Sequence, residues 1–283
     1  MKYGNSDCGR FQFHGHADNW PGRMTGLLRF SDQQGRLFLT SDERPERVAR
    51  RRKLLEALTV QPGERILDVG CGAGQLAAEI ATLVGPAGRV EGVDISEAML
   101  AAARDRCRDQ PFGSWIHFGQ ADATDLPFPD GYFDGALSHM VYEYVPSIDR
   151  ALTELRRVLR GGGRALIVDH DSDSLVWHSS DRDRMERVLS AWEEHIAHPW
   201  LPRDLGSKLR DAGFTEVEIE PHALFEKDAG HYLIDMVAAY VPGRRGVTKE
   251  EAQAWADDLH ELGRQGRYFF SATQYWFKAI APS

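Results

Sequence analysis

The order of apolar and polar positions predicts alternating strands and helices from residue 62 onward. Short apolar runs have the length of buried strands, and the segments between them repeat apolar residues every three or four positions, as helices do. The runs predicted as successive strands are Arg65–Val69, Arg89–Ile95, Trp115–Gly119, Phe133–Ser138 and Ala165–Asp169. Strands and helices that alternate at this spacing favour a parallel sheet covered by helices on both faces.

The pattern changes towards the second half of the chain. A helix is predicted over Ile148–Leu159, with Gly161–Gly163 at its C-terminus, where glycine is favoured. After residue 170 the alternation becomes irregular. The remaining predicted elements are the helices Asp181–Ala197, Leu205–Ala212, Ala229–Tyr240 and Lys249–Gly263 and the strands Thr215–Glu220 and Tyr268–Ala279. Residues 1–61, 171–200 and 223–266 are therefore expected to be additions to a core of residues 62–170 and two returning strands.

Charge and composition narrow the class of protein. The formal net charge is −9, so nucleic acid would be repelled unless a local basic patch bound it. The dense basic run, Arg50–Lys53, falls in a helical pattern and is expected to be a solvated helix face. Three widely spaced cysteines indicate neither a disulfide framework nor a cysteine-based zinc site.

Hydropathy bears on location and assembly. No apolar run approaches the roughly 20 residues that cross a bilayer, and the first ten residues are polar. We therefore expect a cytoplasmic protein without a membrane span and without a nucleic-acid partner. The sequence does not fix the oligomeric state, for which a homodimer is one option.

A glycine-rich turn follows the first predicted strand. Asp68 ends the strand, and Gly70, Gly72 and Gly74 alternate before the next helix begins. Glycines allow a tight turn and let a ligand lie against bare main chain. A phosphate-binding G-x-G-x-x-G pattern would need glycine where Gln75 stands, and the Walker lysine is absent. An acid beside the turn suits a ligand that carries a positive amine or sulfonium rather than a pyrophosphate.

Two more acids follow the next two predicted strands. Asp94 stands 24 residues after Gly70 and could accept hydrogen bonds from both hydroxyls of a ribose, although dinucleotide-binding proteins place an acid similarly. Asp122 follows the third strand and could accept a hydrogen bond from an adenine amino group. Each acid alone could be an exposed loop residue. Acids at the ends of three successive strands, Asp68 included, together favour a nucleoside ligand.

These motifs resemble the class I S-adenosylmethionine-dependent methyltransferases, in particular the group of the ubiquinone/menaquinone C-methylases. The matching stretches are Ile66–Gly74, Gly92–Met99, Ala121–Asp134 and Arg157–Asp169. The resemblance implies an α/β fold of the doubly wound, Rossmann-like type, with a seven-stranded, mostly parallel sheet, an antiparallel last strand and helical lid segments. It implies an N-terminal helical lid over residues 1–61 and a methyltransferase core over residues 62–283, with lid insertions near 171–200 and 223–266.

The resemblance also implies the cofactor and the residues that bind it. The cofactor would be S-adenosylmethionine, with Asp68 and the alternating glycines Gly70, Gly72 and Gly74 around its methionine part. Asp94 would hold the ribose. The remaining contacts implied are those of Ile95, Met99, Asp122 and Ala123 with the adenine and of Ser138 near the cofactor. Arg51 or Arg52 could reach the cofactor carboxylate, although a solvated helix face explains both equally well.

Candidate residues for the chemistry follow the fourth strand. His139 titrates near neutral pH and would suit a general base, although it could equally pack beneath the cofactor. Tyr142 is a candidate substrate contact. Four acids cluster after the fifth predicted strand: Asp169, Asp171, Asp173 and Asp181. They do not fit a calcium loop, because Ser174 and Ser180 stand where glycine and glutamate are needed. No metal is therefore expected, and these acids are expected in a solvated loop.

The added segments are expected to cover a small acceptor. The N-terminal stretch contains His14 and Trp20, which we predict as substrate contacts in a lid over an apolar pocket. The expected reaction transfers the methyl group of S-adenosylmethionine to a small, largely apolar or aromatic metabolite, natural-product or quinone-like, by in-line displacement. The alternatives are a protein methyltransferase, a non-catalytic S-adenosylmethionine-binding subunit and, on a Rossmann sheet, an oxidoreductase.

Overall fold

The computed structural model describes residues 45–226 and 232–283. The described strands form one sheet. They are β1 Arg65–Val69, β2 Arg89–Asp94, β3 Ile116–Gln120, β4 Phe133–His139, β5 Leu159–His170, β6 Val176–Trp177, β7 Thr215–Glu226 and β8 Phe270–Ile280. The spatial order is β3-β2-β1-β4-β5-β8-β6, and β7 pairs with β8. The first five strands pair in parallel, whereas β8 runs antiparallel to its neighbours β5, β6 and β7.

Helices cover both faces of the sheet and form an added region. The described helices are α1 Pro45–Leu58, α2 Gln75–Val84, α3 Glu97–Cys107, α4 Ile148–Val158, α5 Arg182–Trp192, α6 Leu201–Asp211, α7 Tyr232–Tyr240 and α8 Lys249–Arg264. Short 3-10 helices span Tyr142–Tyr144, Ser172–Ser174 and Glu193–His195. Within the two described ranges, no helix has the length and apolarity needed to cross a membrane.

Alternation along β5 shows how the sheet builds two cores. Ala165 and Ile167 pack on the face covered by α4 and α6, while Leu166 and Val168 pack on the opposite face with α1 and α2. Successive side chains of a strand point to opposite faces, so a strand buried on both sides is apolar throughout. This arrangement explains why the sequence shows these central strands as continuous apolar runs.

A third core lies in the added region. It is built by α5, α7 and α8 with β6, and it buries Trp255 completely beside Trp177 and Trp192. The ring centroids of Trp177 and Trp255 are 5.1 Å apart with an interplanar angle of 87°, the edge-to-face arrangement that aromatic pairs favour. We call this part of the chain, residues 171–198 with 232–266, the accessory region.

The predicted fold is confirmed, with two differences in detail. The short strand β6 adds an eighth strand, because its two residues pair with Ser271 and Phe270 of β8. The glycines Gly161–Gly163 do not end a helix. The preceding helix ends at Val158, and the glycines lie within β5, where Gly162 N donates to Ala281 O and Ala281 N donates to Gly163 O, both at 2.7 Å. Pairing with the distant C-terminus therefore decides their conformation.

Candidate active site

The glycine-rich turn joins β1 to α2 at the carboxyl edge of the sheet. Gly70, Gly72 and Gly74 have φ values of 70°, 52° and 77°, in the left-handed region that favours glycine. A Cβ on Gly70 would lie 2.2 Å from Val141 Cγ2, and one on Gly74 would lie 2.9 Å from the Phe118 ring. Among the described parts of the chain, nothing lies within 4 Å of a Cβ placed on Gly72. Gly70 and Gly74 are therefore needed for packing, while Gly72 leaves bare main chain beside open space.

Asp68 and Gln75 flank this turn with unused hydrogen-bonding capacity. Asp68 is 2% exposed, and its carboxylate accepts a hydrogen bond from Ala77 N in the first turn of α2. Burial, together with the charge of Asp94, raises the pKa of Asp68 to about 7. Among the described residues, neither Asp68 Oδ2 nor Gln75 Nε2 has a hydrogen-bond partner, although both atoms are buried.

This pair fits the methionine end of S-adenosylmethionine. Buried polar atoms are normally hydrogen-bonded, so orphaned ones indicate a missing partner. An amino acid offers an ammonium donor that Asp68 Oδ2 can accept and a carboxylate to which Gln75 Nε2 can donate. The N-terminus of α2 also favours a negative group, since Gly74 provides no side-chain cap. Gln75, which the sequence offered only as a mismatch to a phosphate loop, is thus a candidate ligand residue.

Asp94 supports the same turn from the end of β2. Its Oδ2 accepts from Gly72 N at 2.9 Å, and its Oδ1 accepts from Ser96 N at 2.8 Å. Burial raises the pKa of Asp94, although hydrogen bonds from the main chain oppose that shift. The neighbouring predicted contacts differ in exposure, since Ile95 is 47% exposed and Met99 is buried. Asp94 therefore holds the glycine turn in place, a role that was not predicted, and it remains a candidate for the ribose.

The loop after β3 carries the predicted adenine contacts. Asp122 is partly buried, and its Oδ1 accepts from Thr124 N at 2.7 Å, so the carboxylate fixes the conformation of its own loop. Ala123 is buried and packs in the core with Leu126. The loop follows β3, which pairs with β2 through Gln120 and Asp94, so it lies beside the Asp94 end of the site. Contact of both residues with adenine stays a prediction.

The segment after β4 bends sharply over the glycine turn. Ser138 is buried, with no partner for its Oγ among the described residues. Met140 has a φ of 61°, unusual for a residue with a side chain, and its N donates to Val168 O at 2.7 Å. Val141 N donates to Asp169 Oδ1 at 3.1 Å, and the Val141 side chain is the group that closes over Gly70. Asp169 therefore positions this bend.

His139 stands at the end of β4 and is partly buried. Its Nε2 lies 3.4 Å from Gln274 Nε2 of β8. Burial, with the nearby charge of Arg50, lowers the pKa of His139 to about 4. The imidazole is thus neutral at physiological pH, but it accepts a proton only weakly. Its role as the general base stays a prediction.

Tyr142 and Glu143 lie beneath the bend, fully buried. Burial, with the nearby Asp169, raises the pKa of Tyr142, whose hydroxyl has no partner among the described residues. The substrate contact predicted for Tyr142 therefore stays a prediction. Glu143 Oε2 lies 2.7 Å from His170 Nδ1, an ion pair that the sequence did not indicate because the two residues are distant in the chain.

Two expectations about charged segments are wrong. The acids expected in a solvated loop do not all lie there, because Asp169 is fully buried within β5 and Asp171, also buried, pairs with Arg203 at 2.6 Å. The basic run is not uniformly solvated either. Arg51 is 8% exposed and its Nε lies 2.6 Å from Glu79 Oε1, whereas the Arg52 side chain is 81% exposed. In the Asp171–Arg203 and Arg51–Glu79 pairs, the opposite charge comes from a residue that is distant in sequence but packed nearby.

The site is assembled by the register of the central strands. Val69 of β1 pairs with both Val93 and Ser138, so the ends of β1, β2 and β4 meet. His139 pairs with Val168, which brings Asp169 and His170 to the same edge. The predicted substrate contacts His14 and Trp20 lie outside the described residues.

Comparisons with known proteins agree with this geometry. The family described as "Methyltransferase domain" matches residues 67–167. The ubiquinone/menaquinone biosynthesis C-methyltransferase UbiE of Vibrio campbellii is 35% identical over 146 residues, which cover 52% of this chain and 54% of that protein. The 2-phytyl-1,4-naphtoquinone methyltransferase of Synechococcus elongatus is 45% identical over 109 residues, which cover 38% of this chain and 47% of that protein.

A solved structure with bound cofactor has the same fold. Phosphoethanolamine N-methyltransferase 2 of Haemonchus contortus, in complex with S-adenosylmethionine, superimposes with a TM-score of 0.61 at 17% identity and covers 89% of this chain and 58% of that one. The chain spans about half the length of the curated relatives it matches. The matched domain, the strand order and a site that fits S-adenosylmethionine give one conclusion: residues 67–167 form a methyltransferase domain of the S-adenosylmethionine-dependent, class I type, and the chain is similar to the ubiquinone C-methyltransferases.

Proposed function

We propose that this protein transfers the methyl group of S-adenosylmethionine to a small, largely apolar or aromatic acceptor by in-line displacement. The observation that carries the proposal is the pair of orphaned buried atoms, Asp68 Oδ2 and Gln75 Nε2, on either side of the open main chain at Gly72. A purely structural turn would satisfy its buried polar groups internally. A ligand that carries both an ammonium and a carboxylate would satisfy these two groups.

A quinone-like or natural-product acceptor is the class we favour. Two relatives are named for quinone biosynthesis or for a phytyl-naphthoquinone substrate, which supports an aromatic acceptor with an apolar substituent. Aromatic rings of the accessory region also approach the segment after β4. The centroids of Tyr144 and His195 are 5.6 Å apart, and His195 packs in turn against Trp192 at 3.9 Å.

Positioning is the main catalytic contribution that we assign to the protein. Bound S-adenosylmethionine supplies a methyl group already activated by a sulfonium. Asp68 would hold the ammonium, Asp94 would orient the ribose, and the bend that Asp169 positions would shield the reacting groups from water. Holding two reactants in line can lower a barrier by roughly 7–11 kcal/mol, so a side-chain base is not essential.

The His139→Ala variant tests whether a general base contributes to the rate of methyl transfer. General-base catalysis is worth roughly 10²–10⁴-fold in rate. Because the pKa of His139 is about 4, we expect the variant to lose less than about tenfold in turnover at saturating cofactor. A larger loss, with unchanged cofactor affinity, would establish His139 as the base and contradict transfer by positioning alone.

We propose that the N-terminal segment and the accessory region cover the acceptor. In support, the first turn of α1 contacts the end of β7, where Arg47 Nη2 lies 3.3 Å from Glu226 Oε1. The start of α1, where the described chain begins, thus lies near the carboxyl edge of the sheet. Removal of residues 1–44 should reduce acceptor turnover while S-adenosylhomocysteine affinity stays within about threefold. A proportional loss of both would contradict a lid role.

Calorimetric titration with S-adenosylmethionine and, separately, with NAD(H) tests the proposal. We expect S-adenosylmethionine to bind and NAD(H) not to bind. Formation of S-adenosylhomocysteine should then be screened with reduced naphthoquinones, simple phenols and peptides as acceptors. Binding without turnover on any acceptor would favour a non-catalytic subunit, and turnover on peptides alone would favour a protein methyltransferase. Binding of NAD(H) in place of S-adenosylmethionine would overturn the proposed function.

A further inference from the structure

A buried glutamine reaches the end of β4 from two strands away. Gln274 of β8 is 4% exposed and pairs in register with His170, the last residue of β5. His139 of β4 pairs with Val168 of β5, so the His139 and Gln274 side chains lie on the sheet face that α1 and α2 cover. The Gln274 side chain therefore crosses the carboxyl end of β5 and contacts the bend after β4.

The Gln274 amide nitrogen makes two contacts at this bend. Its Nε2 lies 3.4 Å from His139 Nε2 and 3.5 Å from Met140 Sδ. A thioether sulfur can accept a hydrogen bond but cannot donate one, so the nitrogen of the amide, rather than its oxygen, faces the bend. An amide nitrogen carries two hydrogens, one for each of these contacts. Gln274 is therefore a hydrogen-bond donor towards His139.

This contact decides which nitrogen of His139 carries the proton. Burial lowers the pKa of His139 to about 4, so the ring is neutral at physiological pH and holds a single N–H group. A proton on Nε2 would place two donors against each other and leave both without an acceptor there, which costs free energy. With the proton on Nδ1, the lone pair of Nε2 accepts from Gln274.

We propose that Gln274 is a positioning residue that fixes His139 as its Nδ1–H tautomer, so that His139 offers the active site a hydrogen-bond donor and no free lone pair. Within residues 45–226 and 232–283, no second group hydrogen-bonds to the His139 ring, so Nδ1–H is available to a ligand. The part of this proposal that concerns the acceptor rests on the proposed function: the donor would orient the acceptor through the lone pair of a carbonyl or ether oxygen. The tautomer itself does not depend on that function.

The tautomer separates two roles that a histidine can have at the end of β4. A general base needs a free lone pair on a ring nitrogen, and in this arrangement Gln274 already uses the lone pair of Nε2. His139 then orients a ligand without taking up its proton. His195 provides a reference for the same tautomer, because its Nδ1 donates to the main-chain oxygen of Trp192, which can only accept.

NMR spectroscopy of the ligand-free protein tests the proposal, because long-range proton–nitrogen correlations distinguish protonated from unprotonated ring nitrogens. His139→Gln and His195→Gln assign the two sets of signals. At neutral pH we expect His139 to be protonated on Nδ1 and unprotonated on Nε2. Gln274→Met removes the donor at similar side-chain length and should shift the Nε2 signal towards that of a protonated nitrogen. Gln274→Glu should shift it further, because a carboxylate accepts.

Gln253→Met is the matched control, since Gln253 is exposed and donates to Asp257 of its own helix at 2.9 Å. It should leave the His139 signals unchanged, and unchanged His195 signals verify that each variant is folded. A protonated Nε2 of His139 in the wild type would overturn the proposal, as would an unchanged tautomer in both Gln274 variants. These outcomes leave the proposed function standing, since the measurement contains neither cofactor nor acceptor. A folded protein that does not bind S-adenosylmethionine would instead contradict the proposed function and leave the tautomer unaffected.

Discussion

A buried carboxylate at the cofactor end of the sheet and a carboxylate in the accessory region differ in how far their hydrogen-bonding capacity is used. At the cofactor end, Asp68 and Gln75 are buried with unused hydrogen-bonding atoms. In the accessory region, Asp258 accepts from Ser179 Oγ at 2.6 Å and from Ser180 N at 3.0 Å, and Arg184 lies 3.6 Å from the same carboxylate. Unsatisfied groups cost stability unless a ligand completes them, whereas satisfied ones add to it. The unsatisfied groups of Asp68 and Gln75 therefore suit ligand binding, whereas the hydrogen bonds to Asp258 stabilise the fold of the accessory region.

The two regions also differ in how their residues are spaced along the chain. The turn from Asp68 to Gln75 lies within eight residues, and its chemistry can be interpreted from that stretch alone. The accessory core joins Trp177, Trp192 and Trp255 from well-separated helices and a strand. Cofactor recognition therefore has a local signature, whereas the surface that covers the acceptor depends on how distant segments pack.

The largest expected effect is on the free energy of unfolding, and it tests whether the accessory core and cofactor binding are independent. Trp255→Ala removes a fully buried ring and should destabilise the protein by about 3–5 kcal/mol in urea unfolding. The affinity for S-adenosylmethionine, measured by calorimetry while the variant is folded, should change less than about threefold. Trp200→Ala, at a 49% exposed site, is the control, with an expected loss below about 1 kcal/mol. A parallel loss of affinity in Trp255→Ala would mean that the two regions are coupled.

The next effect distinguishes two glycines within the turn. Gly70→Ala combines a left-handed φ with a Cβ 2.2 Å from Val141, and it should cost about 3 kcal/mol of folding stability. Gly72→Ala has the left-handed φ without the clash and should cost about 1–2 kcal/mol. Urea unfolding of both variants measures the difference. Equal losses would contradict the inference that Val141 closes over Gly70.

A smaller effect concerns Asp94. Asp94→Ala removes the acceptor of Gly72 N and Ser96 N together with the proposed ribose contact, so S-adenosylmethionine affinity should fall at least tenfold, about 1.4 kcal/mol. Calorimetry on Asp94→Asn, which keeps one carbonyl oxygen, should show a smaller loss. An affinity unchanged in Asp94→Ala would exclude this residue from the cofactor site.

The smallest effect is the pH dependence of cofactor affinity. The pKa of Asp68 is about 7 without ligand, and a bound ammonium should favour its ionised form. Affinity should therefore rise several-fold between about pH 6 and pH 7.5 and then level off. Asp68→Asn should bind more weakly and lose this dependence, which calorimetry at each pH would reveal. Affinity that falls over the same range would contradict the assignment.

Asp68 also has a consequence for the stability of the ligand-free protein. Its folded-state pKa is raised above the ordinary value of 3.8, so the folded state retains a proton that the unfolded chain has lost. The free energy of unfolding should therefore decrease as pH rises from about 4 to about 7 and should not decrease further through this group. Asp68→Asn should flatten that part of the profile in urea unfolding at several pH values.

The sequence by itself determined the fold class, the identity of the cofactor and the position of the glycine-rich turn. Those properties follow from local periodicity and from a motif whose residues are adjacent in the chain, so a linear pattern contains them. The sequence alone predicts Asp68, Gly70 and Gly72 as site residues, and the structure brings them together in one turn.

Only the tertiary structure decided which charges are buried and what they contact. Gly161–Gly163 joined β5 because the distant C-terminus pairs with them. Arg51 became buried beside Glu79, and Asp169 came to support the bend at Val141. The free energy of a buried charge depends on partners brought close in space and on the loss of water. Neither quantity is encoded at the position of the residue itself, and both appear only when the chain is packed.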